Sequence, residues 1–241
     1  MNVINNTLSV VTVTYNNAEG LNRTLGSILK CLTKPKVIHV VDGNSQDSTK
    51  AVITKYSQGL NIVFTSEPDQ GIYDAMNKGK QRVATKYVHY LNAGDEVFGD
   101  PYSINYDTPY TIDVHIEATA SSKWKDHIKL LGYGYNHQGI VFSSDHPSYD
   151  LNLSLAADFD LVCRTYPSGL KDLPRVKNGF VNYKLGGVSS IRSTEGKRQV
   201  LTSAKKNLSK YLFFRIYLII NIQRLFPRFF RQILANFFWR R

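Results

Sequence analysis

The sequence predicts an α/β domain with a mostly parallel sheet and helices on both faces, and three observations lead to that prediction. Apolar, strand-like runs alternate with helical runs four times in about ninety residues. Each strand-like run ends in a polar turn. The 241 residues are 42% hydrophobic and 20% charged, which is ordinary for a folded domain with a sizeable core. Because parallel strands need long crossover connections, usually helices, the alternation favours a parallel sheet.

Residue type and spacing define the first two strands and the helices that follow them. Residues 8–15, LSVVTVTY, are rich in Val and Thr and predict a strand that is buried on both faces. Apolar residues then recur every three or four positions from Leu21 to Leu32, which predicts a helix that Pro35 stops. A second strand, VIHVVDGNS at residues 37–45, precedes a second helical run, STKAVITKY.

The next two strands follow the same plan. Residues 61–69, NIVFTSEPD, are a third apolar run, and the segment GIYDAMNKGKQRVA behind them has helical spacing. The fourth run, KYVHYLNAGDEVF, occupies residues 86–98. The four strand ends read TYNN, DGNS, SEPDQG and NAGDE. Turn propensity explains any one of them, but four at the carboxyl edge of a parallel sheet indicate a ligand site, because ligands bind there.

Beyond residue 100 the pattern is looser. Tyrosines, prolines and an alternation at residues 110–118 predict two short strands in the stretch 100–122. GYNHQGIVF, residues 134–142, predicts a loop that enters a strand. SLAADFDLVCRTY predicts a helix that Ser154 caps, with two carboxylates in or near its first turn, where a helix favours negative charge.

The positive charge of the chain lies in its last fifty residues. Residues 1–191 contain 18 Lys and Arg against 18 Asp and Glu, whereas residues 192–241 contain 12 basic residues and one acid, Glu195. Within residues 208–241 the longest uncharged run has eight residues, far fewer than the roughly 18–20 that span a bilayer. The sequence therefore predicts a neutral body and a basic C-terminal segment that does not cross a membrane.

Helical spacing gives this C-terminal segment a polar face opposite Phe, Leu, Ile and Trp. That face contains Lys210, Asn221, Arg224, Arg228 and Arg231, with Arg215 and Gln223 off it and Pro227 expected to bend or divide the helix. We predict that residues 191–241 form a basic amphipathic segment that associates with an anionic membrane surface. In one alternative, part of it packs on the domain instead. Nucleic-acid binding is disfavoured, because the body offers no aromatic platform or basic groove of a known module.

Cysteine usage and the N-terminus favour a cytoplasmic location. Cys31 and Cys163 lie far apart in sequence and outside any CxxC or His-rich cluster, which favours reduced core residues over a metal–thiolate site. The N-terminus, MNVINNTLSV, lacks the basic region, long apolar stretch and cleavage site of a secretory signal. Reduced thiols suit the cytosol.

Six segments occur in the order and at about the spacing of one enzyme family. They are SVVTVTYNN, VVDGNSQDST, SEPDQGIYDAMNKG, YLNAGD, HQGIVF and AADFDL. Over about residues 8–190 the chain resembles the family 2 glycosyltransferases, inverting nucleotide-sugar enzymes with the GT-A fold, and among them the small bacterial enzymes of capsule, colanic acid or O-antigen synthesis. The resemblance implies a GT-A domain over residues 1–190, a nucleoside-diphosphate sugar donor, a divalent cation and an acceptor hydroxyl that a carboxylate activates.

The resemblance assigns the nucleotide to the first three strand ends. Asp42 matches the position beside the base, where a carboxylate accepts the imide N–H of uracil. Tyr15 and Asn16 match residues that line the nucleoside pocket. Asp69 and Asp74 bracket the turn that opens GIYDAMNKG, where the family also contacts the nucleotide. An alternative role for Asp74, together with Asn77, is to cap and orient that helix.

The resemblance assigns the chemistry to two further segments. Asp95 matches the metal carboxylate of the family's D-x-D pattern and is predicted to hold Mn²⁺ or Mg²⁺ on the diphosphate. Asn92 stands at the first carboxylate position of that pattern and is predicted to bond the ribose. Asp158 matches the general base that inversion requires on the face opposite the leaving phosphate, with Asp160 as the alternative.

The resemblance also implies a reaction and its surroundings. His137 and Gln138 match an HQ pair that contacts the acceptor, the donor phosphates or the metal. The expected reaction moves a hexosyl or N-acetylhexosaminyl group from a UDP-sugar to a glycan on polyprenyl diphosphate, at the inner face of the bacterial cytoplasmic membrane. Two alternatives stay open. One is a sugar nucleotidyltransferase, although TYNNAEGLNRT lacks its Gly-rich phosphate loop; the other is a non-catalytic membrane-associated scaffold with the same fold.

Overall fold

The computed structural model describes residues 3–103, 107–117, 137–184 and 194–222. In these ranges the chain forms eight strands and six α-helices. The strands are β1 (Val3–Thr14), β2 (Thr33–Asp42), β3 (Ile62–Ser66), β4 (Tyr87–Tyr90), β5 (Glu96–Gly99), β6 (Tyr110–Glu117), β7 (Ile140–Ser143) and β8 (Arg175–Lys184). The helices are α1 (Ala18–Lys30), α2 (Thr49–Tyr56), α3 (Ile72–Lys80), α4 (Ala157–Thr165), α5 (Thr194–Asn207) and α6 (Lys210–Ile222).

The strands form one sheet in the order β3-β2-β1-β4-β7-β6-β8-β5. β1 pairs in parallel with β2 and with β4, and β2 pairs in parallel with β3. This half is the predicted parallel sheet. The other half is mixed, because β7 is antiparallel to β4 and β6, and β5 is antiparallel to β8, while β6 and β8 are parallel. The strand order reverses between β1 and β4, which opens a crevice at their carboxyl ends.

Helices cover both faces of the sheet, as predicted. Successive strand residues point to opposite faces, so the fully buried run in β1 feeds two cores. Val10 packs in one core with residues of α1 and α2, including Leu25. Val11 packs in the other core with residues of α3 to α6, including Met76 and Leu161.

Several predicted boundaries differ from the structure. α1 ends at Lys30, and Pro35 lies inside β2 rather than terminating a helix. The register of β2 on β1 is irregular just after Pro35, at the kind of place where a strand tolerates a residue without an N–H. The fourth apolar run is not one strand but contains β4, a turn and β5.

The second half of the chain differs from the prediction as well. α4 starts after Ala156, which has no side-chain cap, so Ser154 is not the N-cap. Of the two short strands predicted in the stretch 100–122, the described part contains one, β6; residues 118–136 lie outside the described ranges. β8 was not predicted.

The C-terminal helices pack on the body of the protein. Val200 of α5 and Ile216 and Ile220 of α6 are buried in the core beside α3 and α4. For residues 194–222 the structure therefore agrees with the alternative in which part of the basic segment packs on the domain. Arg224, Pro227 and the rest of residues 223–241 lie outside the described ranges, and the domain boundary at residue 190 stays a prediction. No helix within the described ranges is long and apolar enough to cross a membrane.

Candidate active site

The turn after β4 lies at the crevice between β1 and β4, and α1 holds it in place. The Thr24 hydroxyl donates to the carbonyl oxygen of Asp95 at 2.7 Å and accepts from the N–H of Gly94 at 3.0 Å. Ser27, nearly one turn further along α1, accepts from the N–H of Val97 at 3.0 Å. Gly94 has a φ of 113°, which favours glycine. The turn is therefore a fixed part of the site.

Asp95 is a buried acid that is bonded from the end of β8 and lies beside His137 and Gln138. Its Oδ1 accepts from the backbone N–H of Lys184 at the end of β8, at 3.0 Å, and the Gln138 side chain is close enough to lower its pKa. Burial raises the pKa of Asp95 to about 6, and the charge of Glu96 also raises it. The Lys184 N–H, the charge of His137 and the Gln138 side chain act in the opposite direction and lower the pKa. A bound cation would favour the ionised form of such an acid.

Asp158 is an ionised acid at the start of α4. Its side chain keeps 28% of its surface exposed. Oδ1 accepts from the N–H of Phe159 at 2.8 Å, and Oδ2 lies 3.5 Å from Nδ1 of His137. Burial raises its pKa, but the nearby His137 side chain and its charge, the Phe159 N–H and the nearby Tyr73 side chain hold the pKa below its ordinary value. A general base must be deprotonated at neutral pH, and Asp158 meets that condition.

His137 and Gln138 connect these two acids. They lie in a short 3₁₀ turn, His137–Gly139, directly before β7, and both are buried. His89 anchors the turn from below, since its Nε2–H donates to the Gln138 carbonyl at 2.7 Å while Nδ1 lies 3.1 Å from the Tyr102 hydroxyl. Burial lowers the pKa of His89 to about 4, so it stays neutral. The structure thus brings the predicted HQ pair together with Asp95 and Asp158.

Asp160, the alternative base, is fully engaged elsewhere. Its Oδ2 accepts from Nε of Arg164 at 2.6 Å. Its Oδ1 accepts from the Ser203 hydroxyl at 2.7 Å and from Nδ2 of Asn207 at 2.9 Å. Because both partners on Oδ1 belong to α5, Asp160 joins α5 to the helix that carries Asp158. The arrangement favours Asp158 over Asp160 as the base.

Tyr15, Asn16 and Asp69 line an open ledge at the neighbouring strand ends. The Tyr15 side chain is largely exposed. A Cβ placed on Gly43 would lie 2.7 Å from Oδ2 of Asp69 and 3.1 Å from Cδ2 of Tyr15, so these groups converge on the glycine. Asn16 has a φ of 45° and fixes the loop after β2, because its Oδ1 accepts from the N–H of Gln46 at 2.9 Å.

Two further residues of the predicted nucleotide site hold loops. Asp42 is completely buried, and its carboxylate accepts from Ser45 and from the Ser66 hydroxyl, which ties the end of β2 to that of β3. Its contact with a base stays a prediction, since the carboxylate has no exposed surface. Asp74 accepts from the N–H of Gln70 at 3.0 Å and so shapes the loop before α3. This contact corresponds to the alternative, orienting role of Asp74.

A divalent cation at this site would have few protein ligands. Within the described ranges no three His, Cys, Asp or Glu residues form a group that could hold a metal. Asp95 supplies a carboxylate, and Oδ1 of Asn92 is buried without a hydrogen-bond partner among the described residues. Mg²⁺ and Mn²⁺ prefer oxygen and are commonly held by one or two carboxylates plus phosphates and water. This donor set suits a cation that arrives with a diphosphate.

Two supporting residues were not predicted from the sequence: Thr24 holds the metal turn, and Tyr73 helps to lower the pKa of Asp158. Asn77, expected as an alternative to orient α3, bonds the backbone of Tyr149. Tyr73 and Asn77 are four positions apart on α3 and so share a face. That spacing, inside the most specific segment GIYDAMNKG, was the available signal.

Comparisons with known proteins concern the family and the fold. Residues 9–101 match the family model described as Glycosyl transferase family 2. An uncharacterized glycosyltransferase of Mycobacterium tuberculosis is 34% identical over 191 residues, covering 66% of this chain and 68% of that protein.

Two solved structures show the same fold. TarS of S. aureus in complex with UDP-GlcNAc has a TM-score of 0.65 at 14% identity, covering 92% of this chain and 74% of TarS. The mannosyltransferase PcManGT of Pyrobaculum calidifontis, in complex with GDP-Man and Mn²⁺, has a TM-score of 0.67 at 12% identity, covering 88% and 69%. At these identities the likeness concerns the fold alone, which is GT-A.

Proposed function

Because the chain belongs to glycosyltransferase family 2, we propose that it transfers a sugar from a nucleoside-diphosphate donor to an acceptor hydroxyl, with inversion at the anomeric carbon. One observation carries this proposal. The ionised Asp158 lies 3.5 Å from His137, and the buried Asp95, from a different element, is close enough to His137 and Gln138 for both to lower its pKa. A carboxylate suited to a cation and a carboxylate suited to a proton therefore belong to one site.

The proposed mechanism uses Asp158 as the general base. The acceptor oxygen attacks the anomeric carbon as its proton moves to the Asp158 carboxylate, and the bond from that carbon to the diphosphate oxygen breaks. The depressed pKa of Asp158 keeps it ready to accept a proton at neutral pH. Asp95, with Asn92 beside it, would hold Mn²⁺ or Mg²⁺, which neutralises charge on the leaving diphosphate when bound.

We propose that the donor is a UDP-sugar carrying a hexosyl or N-acetylhexosaminyl group. The ledge of Tyr15, Asn16 and Asp69 supports a nucleoside site, because an exposed aromatic ring beside a carboxylate offers a stacking surface and a hydrogen-bond acceptor. TarS was crystallised with UDP-GlcNAc, which supports the choice of uridine. The mannosyltransferase was crystallised with GDP-Man, so a guanosine donor is the natural comparison.

We propose that the acceptor is a glycan on polyprenyl diphosphate, at the cytoplasmic face of a bacterial membrane during capsule, O-antigen or colanic acid synthesis. The outer face of α6 supports a membrane contact. Tyr211, Phe214 and Tyr217 are exposed there, and the guanidinium of Arg215 lies 5.7 Å from the centre of the Tyr211 ring. Aromatic and basic side chains together suit the interface of an anionic bilayer, and the 12 basic residues of 192–241 add to the attraction.

A donor screen tests the proposal. UDP- and GDP-sugars are added with and without Mn²⁺, and thermal shift, nucleoside diphosphate and pyrophosphate are measured in the presence of bacterial membrane extract as the acceptor source. The proposal predicts a Mn²⁺-enhanced shift with one or more UDP-sugars and release of UDP. Release of pyrophosphate would identify a nucleotidyltransferase, and a failure to bind any nucleotide sugar would favour the scaffold.

A further inference from the structure

His137 is a buried side chain whose ring nitrogens are unpaired. The residue is 6% exposed, and neither Nδ1 nor Nε2 has a hydrogen-bond partner among the described residues. Buried polar atoms are mostly hydrogen-bonded, so such a ring calls for an explanation. His89 and His146, two other buried histidines, bond through both ring nitrogens. His39 is also unpaired, but it lies within β2 and forms no ion pair with an acid in the part of the chain that the structure describes.

The turn that carries His137 is fixed without help from the nitrogens of its ring. It leads directly into β7, and the His89 ring bonds its backbone at 2.7 Å. Gly139 ends the turn in a place with no room for a side chain, because a Cβ there would lie 2.7 Å from the carbonyl oxygen of Ile112. The His137 ring also contacts Tyr149 edge-on, with 6.1 Å between ring centres and 76° between planes. The fold therefore holds the imidazole in place and leaves both of its nitrogens unpaired.

The two carboxylate oxygens of Asp158 have different surroundings. Oδ1 accepts from the N–H of Phe159 on its own helix, whereas Oδ2 lies 3.5 Å from Nδ1 of His137. This distance is longer than the usual 2.7–3.2 Å of an N–H···O hydrogen bond. Hydrogen bonds at catalytic sites are often long in the unliganded protein and shorten when substrate binds. A movement of about 0.5 Å would bring Nδ1 and Oδ2 within bonding distance.

We propose that His137 is a positioning residue for Asp158, and that its Nδ1–H donates to Oδ2 and holds the carboxylate in the orientation that receives the proton of the acceptor. The proposal rests on the proposed role of Asp158 as the base. Phe159 bonds one oxygen from within α4 and His137 faces the other from the turn before β7, so two elements together fix the plane of the carboxylate. The side chain of Asp158 is 28% exposed, and a base that is free to turn would often miss the acceptor hydroxyl. The proton passes from that hydroxyl to Asp158, and His137 keeps its own proton throughout.

Three replacements of His137 separate this role from a packing role. Asparagine places its amide nitrogen near the position of Nδ1, glutamine places it nearer to Nε2, and leucine fills the space without a donor. UDP release from UDP-GlcNAc is measured with Mn²⁺ and membrane extract, and Tm is measured for each variant. The control is His115→Leu, the same change at an exposed histidine of β6, which should keep the wild-type kcat.

The three variants should differ in kcat. His137→Leu should lower kcat by about tenfold to a hundredfold, as expected for the loss of a hydrogen bond to a charged group, with KM for UDP-GlcNAc within about twofold of wild type. His137→Asn should stay within about threefold of the wild-type kcat, because it keeps a donor for Oδ2, and His137→Gln should not. Equal kcat in His137→Leu and His137→Asn would overturn the proposal. A loss that appears in KM for UDP-GlcNAc instead of kcat would also overturn it, because His137 would then act on the donor.

NMR of the histidine ring nitrogens tests the contact without any turnover. The protein is isotope-labelled at its histidines, and the signals of His137 are assigned by their loss in His137→Asn. The hydrogen bonds of an imidazole determine which of its nitrogens carries the proton. We expect a proton on Nδ1 in the wild-type chain and its transfer to Nε2 in Asp158→Ala. An Nδ1 without a proton in the wild-type chain, or the same pattern in both proteins, would overturn the proposal. If the wild-type protein releases no nucleoside diphosphate from any donor, the proposed function fails, whereas the NMR measurement still decides whether His137 holds Asp158.

Discussion

Asp160→Asn should destabilise the protein far more than Asp158→Asn, although the two residues are two positions apart on one helix. The Asp160 side chain is 5% exposed and accepts from Arg164, Ser203 and Asn207. Asparagine removes the charge that pairs with Arg164 and turns an amide N–H₂ toward groups that already donate. Loss of one partner of a buried ion pair costs about 3–5 kcal/mol.

Two features of Arg164 reduce that cost. Its side chain is 24% exposed, and its Nη2 also donates to the Ser148 carbonyl at 2.8 Å. We therefore expect about 2–4 kcal/mol for Asp160→Asn, which corresponds to a fall in Tm of about 5–12 °C in a domain of this size. Differential scanning calorimetry measures it. The control, Asp158→Asn, keeps the acceptor for the Phe159 N–H and should stay within about 2 °C of wild type.

The same pair of variants separates structure from chemistry. Below its Tm, Asp160→Asn should retain UDP release within about threefold of wild type, because its carboxylate does not face the acceptor. A wild-type Tm for Asp160→Asn would refute the account of α5 as a support of α4. Loss of turnover in Asp160→Asn without loss of stability would refute the assignment of the base.

Three further predictions concern the nucleotide, the cation and the membrane. Gly43→Ala places a Cβ 2.7 Å from Oδ2 of Asp69 and should weaken UDP binding by about tenfold in calorimetric titration, at an unchanged Tm; unchanged affinity contradicts the ledge. Asp95→Asn should abolish the Mn²⁺-dependent part of the UDP thermal shift, and a retained dependence would place the cation elsewhere. Phe214→Ser with Tyr217→Ser should reduce co-sedimentation with phosphatidylglycerol vesicles by about tenfold, on the basis of lost apolar burial; undiminished binding would argue against the outer face of α6.

The parallel half of the fold was predictable because each of its units is local. In β1 and α1 the strand, the helix and the turn between them lie within about thirty residues. The spacing of their apolar residues is enough to predict each element. β8 was missed for the opposite reason. Its sequence, RVKNGFVNYK, contains Gly, Asn and Lys, its residues are mostly exposed or half-buried, and its pairing with β5 and β6 links distant parts of the chain.

The candidate site was predictable as a set of residues but not as a division of roles. Arg164, four positions after Asp160, is the one local partner that distinguishes Asp160 from Asp158. The other two partners of Asp160 are Ser203 and Asn207, which lie more than forty positions away and hydrogen-bond to its carboxylate. Likewise the charge pattern identified a basic C-terminal segment. The packing of α6 on the core determines that Ile216 is buried and Phe214 is exposed, and the charge pattern does not contain that information.

The most direct test of the account is donor binding and turnover in Asp158→Asn. UDP-GlcNAc affinity is measured by calorimetric titration with Mn²⁺, and UDP release is measured with membrane extract. We predict wild-type affinity within about twofold and a fall in kcat of at least about a hundredfold, the usual contribution of a general base. Turnover near the wild-type rate at equal affinity would contradict the role of Asp158 as the base.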